Sequence, residues 1–139
     1  MLLTLGTFDC PHLGHAIFLN RCRKLDSRVV VGVNTDQFVE SFKGRKPFFT
    51  LEERMGLIRQ FGFETVPNPS SGKEIVLRLR PQLLAIGADW ACRDYHGQIG
   101  MSQEHLDLWG VTLVYVAYQP LISTSRIIER IRRPEGQAG

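Results

Sequence analysis

No stretch of this 139-residue chain has the unbroken apolar run that a bilayer-crossing helix needs. Cysteine is scarce: Cys10, Cys22 and Cys92 are an odd, scattered set without metal-ligand spacing. They read as reduced thiols, which excludes a disulfide scaffold or a zinc finger. Repeats and low-complexity tracts are absent. The formal net charge is only +3, too small an excess for a nucleic-acid groove, and it favours a small anionic ligand instead. No signal peptide is visible, because the first residues run straight into a strand pattern, so a cytoplasmic location is expected. What remains is an ordinary globular composition, 43% apolar and 22% charged, in a length that buries one sheet core as one domain.

Strands and helices alternate along the chain, which predicts an α/β fold: a Rossmann-like, doubly wound parallel sheet in a single domain over residues 1–133, with 134–139 a disordered tail. Strands are expected at Leu2–Leu5, Arg28–Asn34, Phe63–Val66, Leu83–Ile86 and Val111–Ala117. The first two are apolar without alternation, as in strands buried on both faces. Helices are expected from Leu13 to about Leu25, over Thr35–Glu40, from Thr50 to about Gln60, from Ser71 to Leu79, over Ser102–Trp109 and from Ser123 through Arg132. Thr50 with Glu53, and Ser71 with Glu74, have the spacing of capping boxes. Ser41–Phe49, basic and punctuated by Gly and Pro, reads as a loop.

The informative run is Gly6-Thr7-Phe8-Asp9-Cys10-Pro11-His12-Leu13-Gly14-His15, where the first strand gives way to the first helix. A turn there offers backbone N–H groups and a helix N-terminus to an anion. His12 and His15, at i and i+3, fall on the same side of the first turn, and Gly14 between them leaves room for a phosphate. Paired imidazoles aimed at one phosphoryl group would stabilise charge that grows in phosphoryl transfer. A bare H-x-x-H pair also occurs as a cap, a packing pair or a metal site. The preceding strand and the G-T-F-D turn favour the phosphate.

The pattern G-T-F-D-x-x-H-x-G-H resembles the signature of the cytidylyltransferase-like nucleotidyltransferases. Within them the likeness is nearest to glycerol-3-phosphate cytidylyltransferases, with heptose-phosphate adenylyltransferases close behind, and it extends from Leu3 to about Ile131. The resemblance implies that a substrate phosphate oxygen attacks the α-phosphorus of a nucleoside triphosphate, that pyrophosphate leaves, and that the two histidines stabilise the transition state. It also implies a homodimer. Mg²⁺ bridging triphosphate oxygens is expected, with Asp9 an outer contact.

Three further loops match the family. In Lys43-Gly44-Arg45-Lys46-Pro47, a solvated basic loop on its own, Lys43 stands where a family lysine reaches the triphosphate or the acceptor phosphate, supported by Lys46 or Arg45. Arg54 matches the arginine of an E-x-R helix, either a substrate contact or an ion-pair partner of Glu53 or Asp36. Gly87-Ala88-Asp89-Trp90 corresponds to G-D-D-W of the cytidylyl members and G-G-D-Y of the adenylyl heptose enzymes, with Ala88 in place of the first acid. Lys73, otherwise an exposed residue in a helix first turn, matches a lysine that contacts the acceptor phosphate. Ile122-Ser123-Thr124-Ser125-Arg126 resembles I-S-T-T-K-I, whose hydroxyls and N–H groups suit the outer phosphates. Tyr118 stands where cytidylyl members carry an arginine expected to touch the nucleotide, and Arg126 or Arg93 could compensate.

The resemblance therefore implies CMP transfer from CTP to a small phosphorylated alcohol such as glycerol 3-phosphate. The alternatives are ATP-dependent adenylyl transfer to a sugar phosphate or cofactor precursor, and a non-catalytic nucleotide-binding regulator. His12, His15, Lys43 and Arg126 would be catalytic. Gly6, Thr7, Phe8, Asp9, Gly14, Gly87, Asp89, Trp90, Ile122, Ser123 and Thr124 would hold the nucleotide, and Lys46, Arg54 and Lys73 the acceptor. No nucleic acid or membrane partner is expected.

Overall fold

A computed structural model describes residues 1–88 and 93–117. Five parallel strands, β1 (Leu2–Gly6), β2 (Val29–Asn34), β3 (Glu64–Asn68), β4 (Leu83–Gly87) and β5 (Thr112–Val116), form one sheet in the order β3-β2-β1-β4-β5. The chain winds outward from β1 to β3, then crosses back to place β4 on the other side of β1. The switch point of this doubly wound sheet thus lies between β1 and β4, where ligands of open α/β sheets bind.

Alternate side chains of the buried strands feed two cores. Leu2, Val29, Val31 and Val33 pack with Phe18, Leu19 and Cys22 of helix α1 (Leu13–Leu25) and with Met55 and Ile58 of α3 (Leu51–Gln60). Leu3, Leu5, Val30 and Leu84 face the opposite layer, made by α4 (Lys73–Leu79), α5 (Tyr95–Ile99) and α6 (Gln103–Leu108). Burial on both faces explains the lack of alternation in β1 and β2.

Most expected elements among the described residues form, with three departures. Helix α2 (Asp36–Lys43) runs past Glu40, so Ser41, Phe42 and Lys43 are helical rather than loop. Gly44 stops it with φ +74°, a left-handed cap that glycine adopts without steric cost. The box expected at Ser71 does not form: the N-cap of α4 is Gly72, without a side-chain cap bond. There a Cβ would lie 2.6 Å from Leu5 Cδ1, so close packing on β1 sets the helix start. Helix α5 was not legible in the sequence. Its five residues are too few for periodicity, although Asp94 caps it by accepting the Gly97 N–H at 3.0 Å and Gly100 ends it at φ +68°. The expected final helix and tail fall outside the described residues. Cys10 and Cys22 are free thiols, as expected, and no described helix is long and apolar enough to cross a membrane.

Candidate active site at the end of the first strand

The turn from β1 to α1 is built around its two histidines. His12 is the N-cap of α1, and its Nδ1 accepts the Gly14 N–H at 3.0 Å. His15 Nδ1 accepts the His12 N–H at 3.2 Å, so the imidazoles form a reciprocal capping box that Ser/Thr and Glu form elsewhere. Capping and phosphate chemistry are therefore not alternatives here. With each Nδ1 acting as acceptor, the hydrogen of each neutral ring sits on Nε2. The same bonds take up two backbone N–H groups that the sequence reading offered to an anion.

Both rings are nearly buried, with centroids 4.0 Å apart, and Phe8 meets His15 edge-on at 5.3 Å. Burial lowers the pKa of His12; burial and then the neighbouring His12 lower that of His15 to about 3. Both are neutral donors at physiological pH. His12 Nε2 is buried and has no hydrogen-bond partner among the described residues. An N–H so placed calls for an acceptor beyond the described residues.

The backbone of this turn is strained: Phe8 and Cys10 hold φ values of 51° and 53°. Two residues on either side fix it. Arg54, 0% exposed, donates from Nη1 to the carbonyls of Thr7 and Asn34, each at 2.7 Å. Its Nε donates to Phe49 O at 3.0 Å and its Nη2 to Asp36 Oδ1 at 2.6 Å. Asp9 accepts the N–H groups of Phe48 and Phe49 at 2.8 and 3.0 Å. Together they fasten the basic segment carrying Arg45 and Lys46 to the histidine turn.

Beside this turn opens a cleft of about 400 Å³ along the carboxyl ends of the strands. Gly6 at the end of β1, Thr7 after it, Asn34 of β2 and Asn68 of β3 form its floor. Phe38, Phe42 and Lys43 of α2 line one wall, and Arg93, Tyr95 and Gln98 line another.

The Cytidylyltransferase-like family model matches residues 3–130, most of the chain and all five strands but for Leu2. The chain belongs to the cytidylyltransferase-like family. Among its relatives is the bifunctional protein HldE of Blochmanniella pennsylvanica, 30% identical over 96% of this chain and 28% of that protein. HldE of Photobacterium profundum is 31% identical over 98% of this chain, and HldE of Helicobacter pylori is 28% identical over 96%. The chain thus spans about 28% of the length of these relatives. A solved structure titled as the lipopolysaccharide core biosynthesis protein from Thermoplasma volcanium superposes with a TM-score of 0.62 at 21% identity, covering 85% of this chain and 96% of that one. That likeness speaks to the fold.

The family's motif residues divide into three groups in this member. Gly6, Thr7, Phe8, Asp9, His12, Gly14 and His15 gather at the switch point, with Lys43 in the adjoining cleft and Gly87 at the end of β4. Lys46 is exposed on the segment held by Asp9. Asp89, Trp90, Tyr118, Ile122, Ser123, Thr124 and Arg126 lie outside the described residues. One expectation is corrected. Arg54 is no acceptor contact, because its buried guanidinium is spent on three carbonyls and Asp36. Lys73 is not among the residues lining this cleft, and its Nζ sits 6.0 Å from the centroid of the Trp109 ring. The sequence reading missed Asn34, Asn68, Phe38 and Tyr95. The available signal was a polar residue closing an otherwise apolar strand, as Asn34 closes Val29–Asn34, since such ends face the ligand crevice.

Proposed function

We propose that this chain transfers an adenylyl group from ATP to a phosphorylated sugar, releasing pyrophosphate. The observation that carries the reading is the buried Nε2 of His12, without a hydrogen-bond partner among the described residues, beside His15 at the switch point of the sheet. An oxygen of the acceptor phosphate attacks the α-phosphorus, and the bond from that phosphorus to the β-phosphate bridging oxygen breaks. The imidazole Nε2–H groups donate to the non-bridging α-oxygens as their charge grows. They do so as neutral rings, so no proton has to be taken up first. The cleft is proposed to hold the acceptor, with Lys43 near its phosphate and Phe38 beside its carbon skeleton.

Adenylyl transfer is preferred to cytidylyl transfer for three reasons. The G-T-F-D-x-x-H-x-G-H run resembles that of the heptose-phosphate adenylyltransferases, and the chain is similar to HldE proteins over nearly its whole length. Ala88 replaces the first acid of the cytidylyl loop, and Tyr118 replaces the arginine. Mg²⁺ would supply counter-charge to the triphosphate. Asp9 is a poor ligand for it, since both carboxylate oxygens accept backbone N–H groups, so the ion is assigned to the nucleotide alone.

The test is pyrophosphate release with Mg²⁺, each of the four nucleoside triphosphates and a panel of sugar phosphates, with glycerol 3-phosphate alongside. Release with ATP and a sugar phosphate supports the reading. Release only with CTP and glycerol 3-phosphate replaces it with the cytidylyl reading, and tight nucleotide binding without release leaves a regulator.

A further inference from the structure

The cleft holds a second orphan that the histidine chemistry does not use. Asn68 closes β3, is 2% exposed and lines the cleft. It is the register partner of Asn34 in the neighbouring strand, so the two amides meet side by side. Asn68 Nδ2 donates to Asn34 Oδ1 at 2.9 Å, and Asn34 Nδ2 donates to Thr7 Oγ1 at 3.2 Å. One line of side-chain bonds therefore runs along the carboxyl edge of β3 and β2 to the histidine turn. At its far end Asn68 Oδ1 is buried with no partner among the described residues.

This oxygen is not free to turn away. The side-chain amide is held through Nδ2, and the backbone carbonyl of Asn68 accepts the Thr35 N–H at 3.0 Å, fixing the main chain beneath it. A carbonyl oxygen accepts only, so its complement is a hydroxyl or N–H and cannot be a phosphate oxygen. The cleft also offers uncharged Ser71 and Gln98, the rings of Phe38 and Tyr95, and the cations Lys43 and Arg93. Amides and a hydroxyl beside aromatic rings suit a polyhydroxylated carbon skeleton, and the two cations suit its phosphate.

We propose that Asn68 is a specificity-determining residue for the acceptor, its Oδ1 receiving a hydrogen bond from one hydroxyl of a phosphorylated sugar, with Asn34 and Thr7 holding the amide in place. This rests on the reading of transfer to a sugar phosphate, and its test is read by binding rather than by turnover, so the two can fail separately. Hexose and heptose 1-phosphates, each with its monodeoxy analogues, are titrated by calorimetry into the wild type, Asn68→Leu and the smaller Asn68→Ser. In the wild type, loss of one particular hydroxyl weakens binding by at least about tenfold, because the site is left with an unpaired polar group. In whichever variant folds, judged by ATP affinity within about twofold of wild type, the same loss changes binding by less than about twofold. Discrimination retained in the variants would overturn the proposal, as expected if a water molecule satisfies Asn68. So would a wild type that discriminates against no deoxy analogue or binds no phosphorylated sugar. Absence of pyrophosphate release would instead count against the transfer reading.

Discussion

The guanidinium of Arg54 donates to the carbonyl of Thr7 at 2.7 Å, joining a helix in the middle of the chain to the turn that carries both histidines. Because the same group also holds Asn34 O, Phe49 O and Asp36, it fixes three loops of the site at once. Replacing it strands several buried acceptors. Arg54→Met is expected to cost about 2–4 kcal/mol in urea unfolding, toward the lower part of the range for broken buried pairs because Asp36 keeps partial access to water. Arg54→Lys should recover little of this, since an ammonium cannot span the four acceptors. A variant as stable as wild type would remove the arginine from this role.

His15 makes stability depend on pH. Its folded pKa of about 3 lies far below the ordinary 6.5, so between those values the unfolded chain binds a proton that the folded chain refuses. Stability is therefore full above pH 6.5 and falls progressively toward pH 3, by several kcal/mol at most. Thermal unfolding followed from pH 7.5 to 4 should show this fall, and His15→Gln should flatten it. Parallel curves for the two proteins would place the acid sensitivity elsewhere.

Asp9 is expected to act through the segment it holds. In Asp9→Ala the N–H groups of Phe48 and Phe49 lose their acceptor, so the stretch carrying Arg45 and Lys46 opens more often. Limited trypsin digestion should then cut faster after Lys43 and Arg45, and KM for the nucleotide should rise more than kcat falls. Unchanged digestion with lost activity would mean that the carboxylate contacts the substrate directly.

How far the fold was legible follows from where each signal resides. The β1–α1 unit could be read because its strand is buried on both faces and its helix is periodic. The Thr50 box could be read because both of its bonds, Glu53 N to Thr50 Oγ1 and Thr50 N to Glu53 Oε1, lie within one turn. Ser71 has the same spacing, but contact between Gly72 and Leu5 decides that helix start, and such contacts leave no local pattern. The site divides in the same way. His12 and His15 sit in one contiguous motif, whereas the amide line Thr7–Asn34–Asn68 joins residues far apart in sequence and exists only through sheet order and register. Arg54 was recognised by position, yet only its burial separates a substrate contact from a positioning residue.

The central claim is that the Nε2–H groups of the paired histidines act on the α-phosphate, while their Nδ1 atoms cap the helix. His12→Asn separates these roles, because asparagine is a strong N-cap whose Oδ1 can take the Gly14 N–H, yet it has no group reaching the Nε2 position. Single-turnover adenylyl transfer from ATP, measured with saturating acceptor and alongside thermal unfolding, is the decisive measurement. The account predicts a rate lower by about 10²–10³ with unfolding close to wild type. A rate within a few-fold of wild type in a fully folded variant would contradict it.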